Sequence, residues 1–416
     1  MAGTDVIVVG GGVVGVSTAY SLACAGARVT IVEGGELGRG ASYGNAGLIV
    51  PSYSVPIATP EALSQGLRWL FDPGSPFTIK PRLDPDLLAW VVRFVAACRK
   101  EKVVATTAVL RTLGVASINL YEQFSGLRGN EVGYQRTGWL YLYKTERGLA
   151  EGIHHAERVR RVGTQAVNLD QAEVKELEPA ARADLAGAVH YVDDAHLNPF
   201  QFVHFLASLA NDQGVTFRTH VQVVGLKAQN GTVQAVRTGE GELEADHIVI
   251  AAGAWSPRLA RSIGLRLPVQ PAKGYSLTFR ASGLTPRRPL SLGEAHVAVT
   301  PMGQHLRMTG GLELAGFDHS LNARRLAAIS RAGSEYLVGL TGMESSERWS
   351  GYRPLTPDSL PIIGPGERFK NLFFATGHGT LGVTLGPITG KLVAELVAGE
   401  PPSIDVQPLL PCRFGL

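Results

Sequence analysis

The chain has 416 residues, enough for two or three domains. Apolar residues make up 45% of it and charged residues 18%, a composition that is typical of a globular protein and excludes wholesale disorder. The formal net charge is +3 and the sequence contains no dense basic run, so it does not indicate a nucleic-acid-binding protein. Glycine is frequent, at 50 residues, which indicates tight turns or close approach of the backbone to a ligand.

The three cysteines, Cys24, Cys98 and Cys412, lie far apart and form no CxxC pair. They predict neither a disulfide framework nor a zinc cluster, and they favour a reducing, cytoplasmic environment. The eleven histidines form no HExxH motif, so the sequence does not predict a metal site.

The first 33 residues predict a strand, a turn, a helix and a second strand. Residues 6–9 (VIVV) are typical of a buried parallel strand, residues 17–27 favour a helix, and residues 28–33 (RVTIVE) favour a strand that ends in an acid. Residues 6–27 carry no charge, over a length that would also suit a membrane span. They contain five glycines and no Lys or Arg precedes them, so we expect neither a signal peptide nor a membrane helix.

The turn matches the pattern GxGxxG at Gly10, Gly12 and Gly15. The first glycine permits the tight turn, the second lets the backbone approach a pyrophosphate, and the third allows the helix to pack closely on the strand. The helix N-terminus offers free N–H groups to phosphates, and Glu33 can accept hydrogen bonds from ribose hydroxyls. This context predicts a dinucleotide site, without separating NAD from FAD, formed by Gly10, Gly12, Val13, Val14, Gly15 and Glu33.

A second glycine-rich loop covers residues 38–47 (GRGASYGNAG). Residues 40–44 satisfy the hydrolase pattern GxSxG, but that pattern requires a buried strand before it and a helix after it, and the sequence predicts neither. A nucleophilic Ser42 is therefore not expected. Small residues beside a cation suit a second phosphate contact, with Arg39 and Ser42 as hydrogen-bond donors. This loop adds to the predicted cofactor site Arg39, Ala41, Ser42, Asn45, Ala46, Gly47 and Leu48.

The middle of the chain predicts further strands at residues 215–224, 232–237 and 245–251. The last of these is expected to be a third parallel strand of the nucleotide sheet, with its carboxyl end at the ligand crevice. From this region we expect cofactor contacts at Val221, Ala252, Gly253 and Trp255.

Near the carboxyl terminus, residues 371–376 predict a strand, residues 377–382 (GHGTLG) a glycine loop, and residues 385–398 a helix broken near Pro387. In a flavoprotein this helix N-terminus would face the N1–C2=O edge of the flavin, where reduction places negative charge. The predicted contacts are Gly377, His378, Gly379, Thr380, Leu381, Gly382, Val383 and Thr384.

Taken together, these segments resemble the FAD-dependent D-amino-acid oxidase/dehydrogenase superfamily, and within it the bacterial D-amino-acid dehydrogenases. The matching pieces run through nearly the whole chain, and the GYRPLTPDSLPIIG and GHGTLG pieces are much more specific than the first motif. All the matching pieces are residues 8–15 with Glu33, 41–47 (ASYGNAG), 66–70 (GLRWL), 273–276 (KGYS), 351–358 (GYRPLTPD) and 377–382 (GHGTLG).

The resemblance implies an α/β (α+β two-domain) protein in which a Rossmann-type FAD-binding domain is interleaved with an antiparallel-sheet substrate domain. The expected FAD-binding segments are 1–60, 145–262 and 347–416. The expected substrate or cap segments are 61–144 and 263–346, with a helical insertion near 61–125. The β-forming residues at 138–143 and 275–279 agree with such a sheet. The apolar stretch 64–98 is expected to be a buried helical insertion, with contact to a membrane surface as the alternative.

The activity implied by the resemblance is oxidative deamination of D-amino acids. A hydride leaves Cα for flavin N5, and the imino acid hydrolyses to a 2-oxo acid and ammonia, while the electrons pass to a quinone or another non-oxygen acceptor. No Cys or His stands where covalent attachment would be obvious, so we expect non-covalent FAD. The expected partners are a small-molecule amino acid and the acceptor. Attachment to the inner face of the cell membrane and homo-oligomerisation are left open.

The same resemblance places the substrate-binding arginine at Arg353, whose planar fork suits a carboxylate. Tyr53 and Tyr275 are expected in the pocket wall. His378 is expected to brace its loop or contact the flavin rather than to act as an acid or base, because it lacks an evident partner. The strand at residues 296–299 (HVAV) lacks the tyrosine that oxidases of the family often carry.

Four alternatives stay open at the level of sequence. Val383 stands where many D-amino-acid dehydrogenases have Trp, which makes a D-proline or hydroxyproline dehydrogenase an alternative. A glycine- or sarcosine-type oxidase, which releases hydrogen peroxide, is another. A non-catalytic flavin-binding subunit is disfavoured by Arg353 and the intact flavin loops. An NAD-dependent dehydrogenase is disfavoured by the carboxy-terminal loop.

Overall fold

The structure is a computed structural model of the chain that describes residues 1, 3–63, 77–80, 82–127, 130–281 and 283–416. The motif at residues 66–70 and much of the first half of the stretch 64–98 lie outside the described residues. The described helices are α1 (Val13–Cys24), α2 (Pro85–Ala97), α3 (Lys100–Ser125), α4 (Glu146–Arg160), α5 (Gln171–Leu177), α6 (Pro199–Asp212), α7 (Ser256–Arg261), α8 (Ala323–Tyr336) and α9 (Gly382–Val397).

The described strands are β1 (Asp5–Val9), β2 (Arg28–Val32), β3 (Leu48–Ile49), β4 (Phe77–Ile79), β5 (Trp139–Tyr143), β6 (Ala166–Leu169), β7 (Gly187–Tyr191), β8 (Ala195–His196), β9 (Thr216–Arg218), β10 (Val223–Gln229), β11 (Thr232–Thr238), β12 (Gly241–Leu243), β13 (His247–Ile250), β14 (Gln270–Arg280), β15 (Leu290–Leu292), β16 (Val297–Met302), β17 (His305–Leu314), β18 (Glu347–Leu355), β19 (Ile362–Pro365) and β20 (Leu372–Thr376).

A six-stranded sheet runs in the order β19-β20-β13-β1-β2-β9. Its strands are parallel except β19, which is antiparallel to β20. Strands β1 and β13 are almost wholly buried runs of Val and Ile, as a sheet covered on both faces requires. The predicted third parallel strand is confirmed, because β13 pairs directly with β1. The carboxyl ends of these two strands therefore lie side by side.

Two element boundaries differ from the sequence prediction. Helix α1 begins at Val13, directly after Gly12, and not at residue 17. Residues 215–224 do not form one strand, because β9 joins the six-stranded sheet and β10 joins a separate three-stranded sheet with β11 and β12. Between them, His220 has a φ of 59°, a left-handed conformation that ends the first strand.

A nine-stranded sheet forms the other half of the molecule. Its order is β18-β14-β17-β16-β15-β5-β7-β6, with β4 beside β17. The pairing is antiparallel except where β15 meets β5 and β17 meets β4. The predicted strands at residues 138–143 and 275–279 belong to this sheet as β5 and β14. The mixed α/β two-domain architecture is thereby confirmed.

The chain passes between the two large sheets several times. Strands β6, β7 and β18 pair in the nine-stranded sheet, although they fall in the segments expected to bind FAD. The division of the chain into the predicted domain segments stays a prediction.

Helices α2 and α3 form the described part of the predicted helical insertion. The indole N–H of Trp90 on α2 donates to the Leu355 carbonyl, 3.0 Å away, at the end of β18. Helix α3 buries one face, including Leu110, Leu113 and Tyr121, in the main core. Among the described helices, α3 alone is long and apolar enough to cross a membrane, and a buried core helix satisfies the same criterion.

Helix α9 crosses α1 at very short range. A Cβ atom at position 390 would lie 2.3 Å from the Ser17 carbonyl oxygen, and one at position 386 would lie 3.0 Å from a methyl carbon of Val13. Gly390 is therefore required for this crossing, and Gly386 avoids a tight contact with the Val13 side chain. The tight contact fixes the N-termini of α1 and α9 relative to each other.

The expected break near Pro387 is wrong, because α9 is continuous from Gly382 to Val397 with this proline inside it. Proline has no N–H to give to the carbonyl four residues earlier, which belongs to Val383. The hydroxyl of Tyr121 on α3 donates to this carbonyl instead. A side chain from the insertion thus replaces the hydrogen bond that α9 cannot form for itself.

We expect Tyr121→Phe to destabilise the protein by about 1–2 kcal/mol, because the Val383 carbonyl would lose its partner in a buried site. In a Pro387→Ala background the helix supplies its own donor, so the same change should cost less. Chemical denaturation of the four proteins of this cycle measures the difference. Tyr134→Phe is the control, because the Tyr134 hydroxyl is buried without a partner among the described residues. Equal losses from Tyr121→Phe in both backgrounds would contradict the assignment.

Candidate active site

A continuous cavity of about 1390 Å³ lies between the two large sheets. Its wall combines the carboxyl ends of β1 and β13, the N-termini of α1 and α9, and the inner face of the nine-stranded sheet. The predicted site residues that line it are Gly10, Gly12, Val13, Val14, Glu33, Ala41, Ser42, Asn45, Ala46, Leu48, Tyr53, Ala252, Gly253, Trp255, Tyr275, Arg353, His378, Gly379, Thr380, Leu381, Gly382, Val383 and Thr384. The structure thus brings together most of the predicted site.

The glycine turn after β1 is built as the pattern predicts. Gly10 has a φ of 116°, and a Cβ atom there would lie 2.6 Å from the Ala251 carbonyl oxygen. Gly12 precedes the first residue of α1, has no side chain of its own to cap the helix, and faces the cavity. Gly15 does not line the cavity, because a Cβ atom at this position would meet the Gly10 carbonyl oxygen at 1.9 Å. Its function is packing, which leaves the α1 N-terminus open to a ligand.

Glu33 lies at the carboxyl end of β2 and its carboxylate is oriented by two backbone groups. One oxygen accepts from the Gly11 N–H at 2.7 Å and the other from the Gly35 N–H at 2.9 Å. Each carboxylate oxygen can accept a further hydrogen bond. The side chain is therefore fixed at the cavity wall with acceptor capacity to spare for a hydroxyl.

Ser42 and Arg39, the two predicted phosphate donors, behave differently. The Ser42 hydroxyl accepts the Val13 N–H at 3.0 Å, so it secures the first turn of α1 beside the cavity. Arg39 lies outside the cavity wall, pairs with Glu36 at 2.8 Å and covers the rings of Tyr43 and Phe200. In this conformation Arg39 is directed towards Glu36 and not into the cavity, and its phosphate contact stays a prediction.

Three other predicted contacts also lie behind the cavity wall. A Cβ atom at Gly47 would meet the Leu197 carbonyl oxygen at 2.1 Å, and one at Gly377 would meet the Thr356 methyl carbon at 2.5 Å. Val221 is buried in the core, and its N–H donates to the Glu33 carbonyl. These three residues shape the loops around the cavity without facing it. Gln222 and Val223, which follow Val221 in the chain, line the cavity in its place.

The second helix N-terminus in the cavity is that of α9. Thr380 to Thr384 line the wall there, and no side chain caps the helix. His378 is buried beside it, and its Nε2 lies 2.9 Å from the Thr389 hydroxyl, which itself donates to the Leu385 carbonyl. Nε2 must therefore carry the proton. Burial lowers the pKa of His378 to about 3, so the ring is neutral and supports a bracing role.

Arg353 lies on β18 in the wall formed by the nine-stranded sheet. Its Nη1 donates to the Gly311 carbonyl at 2.7 Å, and no carboxylate pairs with it among the described residues. A Cβ atom at Gly274 would lie 2.4–2.5 Å from three guanidinium atoms. Glycine at position 274 leaves room for the charged head in this position, and a larger residue would displace it. Burial lowers the pKa of Arg353 from its usual value.

Both tyrosines predicted for the pocket wall line the cavity with Arg353. Tyr53 packs near Trp139, with ring centroids 5.8 Å apart. The Tyr275 hydroxyl donates to Glu313 at 2.7 Å, and Glu313 also pairs with Arg325. Burial and the neighbouring carboxylate raise the pKa of Tyr275, so its hydroxyl stays protonated. Tyr275 therefore contributes its ring to the wall rather than a free hydroxyl.

Asp194 holds the loop that carries Tyr53. Its carboxyl group accepts the Ser52 N–H at 3.1 Å and also bonds the Ser52 hydroxyl, and both residues are buried. Burial raises the pKa of Asp194 to about 7, which the Ser52 hydrogen bonds and the charge of Arg111 only partly offset. The neighbouring carboxylate of Asp193 also raises it.

Sequence reasoning missed several residues that build this site. The Trp349 indole lies between Gly44 and Gly351, where a Cβ atom would come within 2.0 and 2.1 Å of the ring. Tyr141 lies one pleat along β5 from Trp139, and both face the cavity. The alternation of β5 could have indicated the two aromatic rings. The Gly–Trp–Gly packing has no local signal, because Gly44 is distant in sequence.

The family described as FAD dependent oxidoreductase matches residues 5–396 of this chain. The chain belongs to this family. The D-amino acid dehydrogenase of Methylobacterium radiotolerans is 36% identical to it over 419 residues, with 99% of each chain covered. That of Paramagnetospirillum magneticum is 36% identical over 418 residues, with 98% of each covered. Glycine oxidase from Geobacillus kaustophilus has a similar structure, with a TM-score of 0.78, 26% identity and 98% of each chain covered.

As an FAD-dependent oxidoreductase, the protein is an enzyme, and the described residues fit its cofactor. The open N-terminus of α1 suits a diphosphate, and Glu33 suits a ribose hydroxyl. The open N-terminus of α9 suits a group that gains negative charge on reduction. In the described part of the chain, no group of three or more His, Cys, Asp or Glu side chains could hold a metal ion.

The carboxyl of Asp194 should make the enzyme less stable as the pH rises. The unfolded chain releases this proton near pH 4 and the folded protein only near pH 7, so stability should fall between these values by up to about 1.4 kcal/mol per pH unit. Asp194→Asn should remove this slope, as measured by denaturation of the FAD-saturated protein from pH 4 to 8. Asp193→Asn is the comparison variant and should change the slope only slightly, because Asp193 adds least to the raised pKa of Asp194. An equal change in both variants would contradict the assignment.

Proposed function

We propose that this enzyme oxidises D-amino acids to imino acids, which water hydrolyses to 2-oxo acids and ammonia. The electrons then pass to a quinone or another non-oxygen acceptor. The names of the bacterial relatives support the substrate class and the term dehydrogenase. The substrate and acceptor rest on this support and on the chemistry of the cavity.

The observation that carries the proposal is the half-buried guanidinium of Arg353 in the cavity wall. It lines the cavity, it donates one hydrogen bond to a backbone carbonyl, and it has no carboxylate partner among the described residues. A charge taken out of water is costly unless an opposite charge compensates it. A planar fork with free N–H groups selects a carboxylate, which every α-amino acid carries.

The residues of the chain then divide the work of positioning. Arg353 binds the carboxylate, and the rings of Tyr53 and Tyr275 limit where the remainder of the substrate lies. Bound FAD, held without a covalent link, supplies the acceptor for the hydride that leaves Cα. The neutral imidazole of His378 braces the glycine loop at the α9 N-terminus. The amine is expected to lose its proton on binding, so no residue is assigned as a base.

A glycine-type oxidase is the second candidate, because glycine oxidase shares this fold over 98% of each chain. The two functions differ in what reoxidises the enzyme. An oxidase uses oxygen and releases hydrogen peroxide, whereas a dehydrogenase recovers slowly in air and quickly with an added acceptor. The substrate site described above serves both.

The purified enzyme, mixed anaerobically with a panel of D- and L-amino acids, should lose its flavin absorbance with D-amino acids only. Admission of air should restore the absorbance slowly, and a quinone analogue should restore it rapidly. Fast recovery with peroxide would identify an oxidase instead. Bleaching by L-amino acids alone, or by none of the panel, would contradict the proposal.

Arg353→Ala should lower kcat/KM for D-amino acids by about 10²–10³-fold, which corresponds to roughly 3–4 kcal/mol for one partner of a desolvated charged pair. Gly274→Ala should act in the same direction but less strongly, because it displaces the guanidinium without removing it. FAD content should be unchanged in both variants.

Two matched controls accompany these variants. Arg348→Ala removes an exposed arginine from the same strand, and Gly239→Ala adds a Cβ atom where no atom lies within 4 Å. Both should behave like the wild type. A loss of only a few-fold in Arg353→Ala, with FAD still bound, would refute the carboxylate role.

A further inference from the structure

An apolar compartment opens beside Arg353 within the same cavity. It begins at Leu312, which follows the Gly311 whose carbonyl accepts the Arg353 guanidinium. Phe77 on β4 pairs with Leu312 in register. Ile79, two residues further along β4, also faces the cavity. The compartment therefore lies next to the group that binds the substrate carboxylate.

Helix α2 supplies further apolar residues to this part of the cavity wall, and they pack in one cluster with Phe77, Ile79 and Leu312. Val91 and Phe94 line the cavity, and Trp90 stacks on Phe94 with centroids 5.1 Å apart. The Trp90 indole N–H is bonded to Leu355, two residues after Arg353 on β18. This hydrogen bond fixes the helix to the strand that carries the arginine. The distance between the apolar wall and the carboxylate site is thus set by direct contact.

The charged side chains in the cavity wall lie elsewhere. Among the described residues that line it, the charged ones other than Arg353 are Glu33, Glu151, Arg258 and Glu294, and none of these is on α2, β4 or the Gly311–Leu312 segment. A charged group placed in the compartment would lose its water without gaining a partner there. An alkyl or aromatic group would gain from burial in proportion to its area.

From this arrangement we propose that the compartment binds the side chain of the substrate and selects amino acids with extended apolar side chains. The inference rests on the proposed function. When Arg353 holds the carboxylate, the side chain is the part of an amino acid that can reach α2 and β4. Leucine, methionine and phenylalanine have the required length and polarity. Aspartate and lysine do not, because their charge would be left unpaired.

The test compares the D-forms of alanine, leucine, methionine, aspartate and lysine in the anaerobic reductive half-reaction. For the wild type, the second-order rate constant of flavin reduction by D-leucine and D-methionine should exceed that by D-alanine by about tenfold or more, and D-aspartate should react most slowly. Val91→Asp should lower the ratio of D-leucine to D-alanine by at least about tenfold.

Val92→Asp is the matched control, because Val92 is the next residue on α2 but is 63% exposed. It should leave the ratio as in the wild type. If Val91→Asp does not fold, Val91→Thr has nearly the same shape and adds only a hydroxyl, and it should shift the ratio in the same direction. FAD content and the melting temperature check the integrity of each protein.

Each other outcome overturns the inference in a recognisable way. If D-amino acids bleach the flavin but leucine gains nothing over alanine, or Val91→Asp lowers both rates equally, the compartment does not select the side chain. If Val91→Asp alters only reoxidation by a quinone analogue, the compartment belongs to the acceptor. If no amino acid bleaches the flavin, the proposed function itself has failed.

Discussion

The active site depends on how closely two helices can approach each other. The Gly390 backbone of α9 lies against the Ser17 carbonyl of α1, at a distance that no larger residue allows. Because of this crossing, two helix N-termini that are far apart in sequence open into one cavity. Each contributes unpaired N–H groups and the positive end of a helix dipole. A cofactor with a diphosphate at one place and a reducible ring at another is matched by this pair of positive ends.

Elsewhere in the cavity, the positive charge of Arg353 has no acid partner among the described residues and is available to a ligand. The Arg353 guanidinium is surrounded by backbone rather than by acids, and Gly274 beneath it provides the space. Tyr275 has the opposite arrangement, because Glu313 accepts its hydroxyl and Arg325 neutralises that carboxylate. Among the described residues, Arg353 is thus left without an acid partner, whereas Tyr275, Glu313 and Arg325 satisfy one another. This contrast supports a site that recognises a carboxylate at one defined position.

The sequence predicted those parts of the fold and site whose partners lie near one another in the chain. The turn from Gly10 to Gly15 and the acid at Glu33 belong to one unit of about thirty residues, so its pattern can be read locally. Arg353 was found through a family motif. For Arg39, the sequence does not show whether its charge goes to Glu36, as in this structure, or to a ligand. Asp194 and Ser52 are 142 residues apart, and no local pattern indicates such a pair.

The bond from Tyr121 to the Val383 carbonyl bears on how this architecture can be altered. The helical insertion supplies a hydrogen bond to the backbone of the helix whose first turn faces the cofactor. Pro387 makes α9 unable to close that bond alone. The insertion is therefore not an appendage that can be trimmed or exchanged between homologues without regard to α9. Any transplanted version must bring its own hydroxyl donor, or the recipient helix must give up its proline.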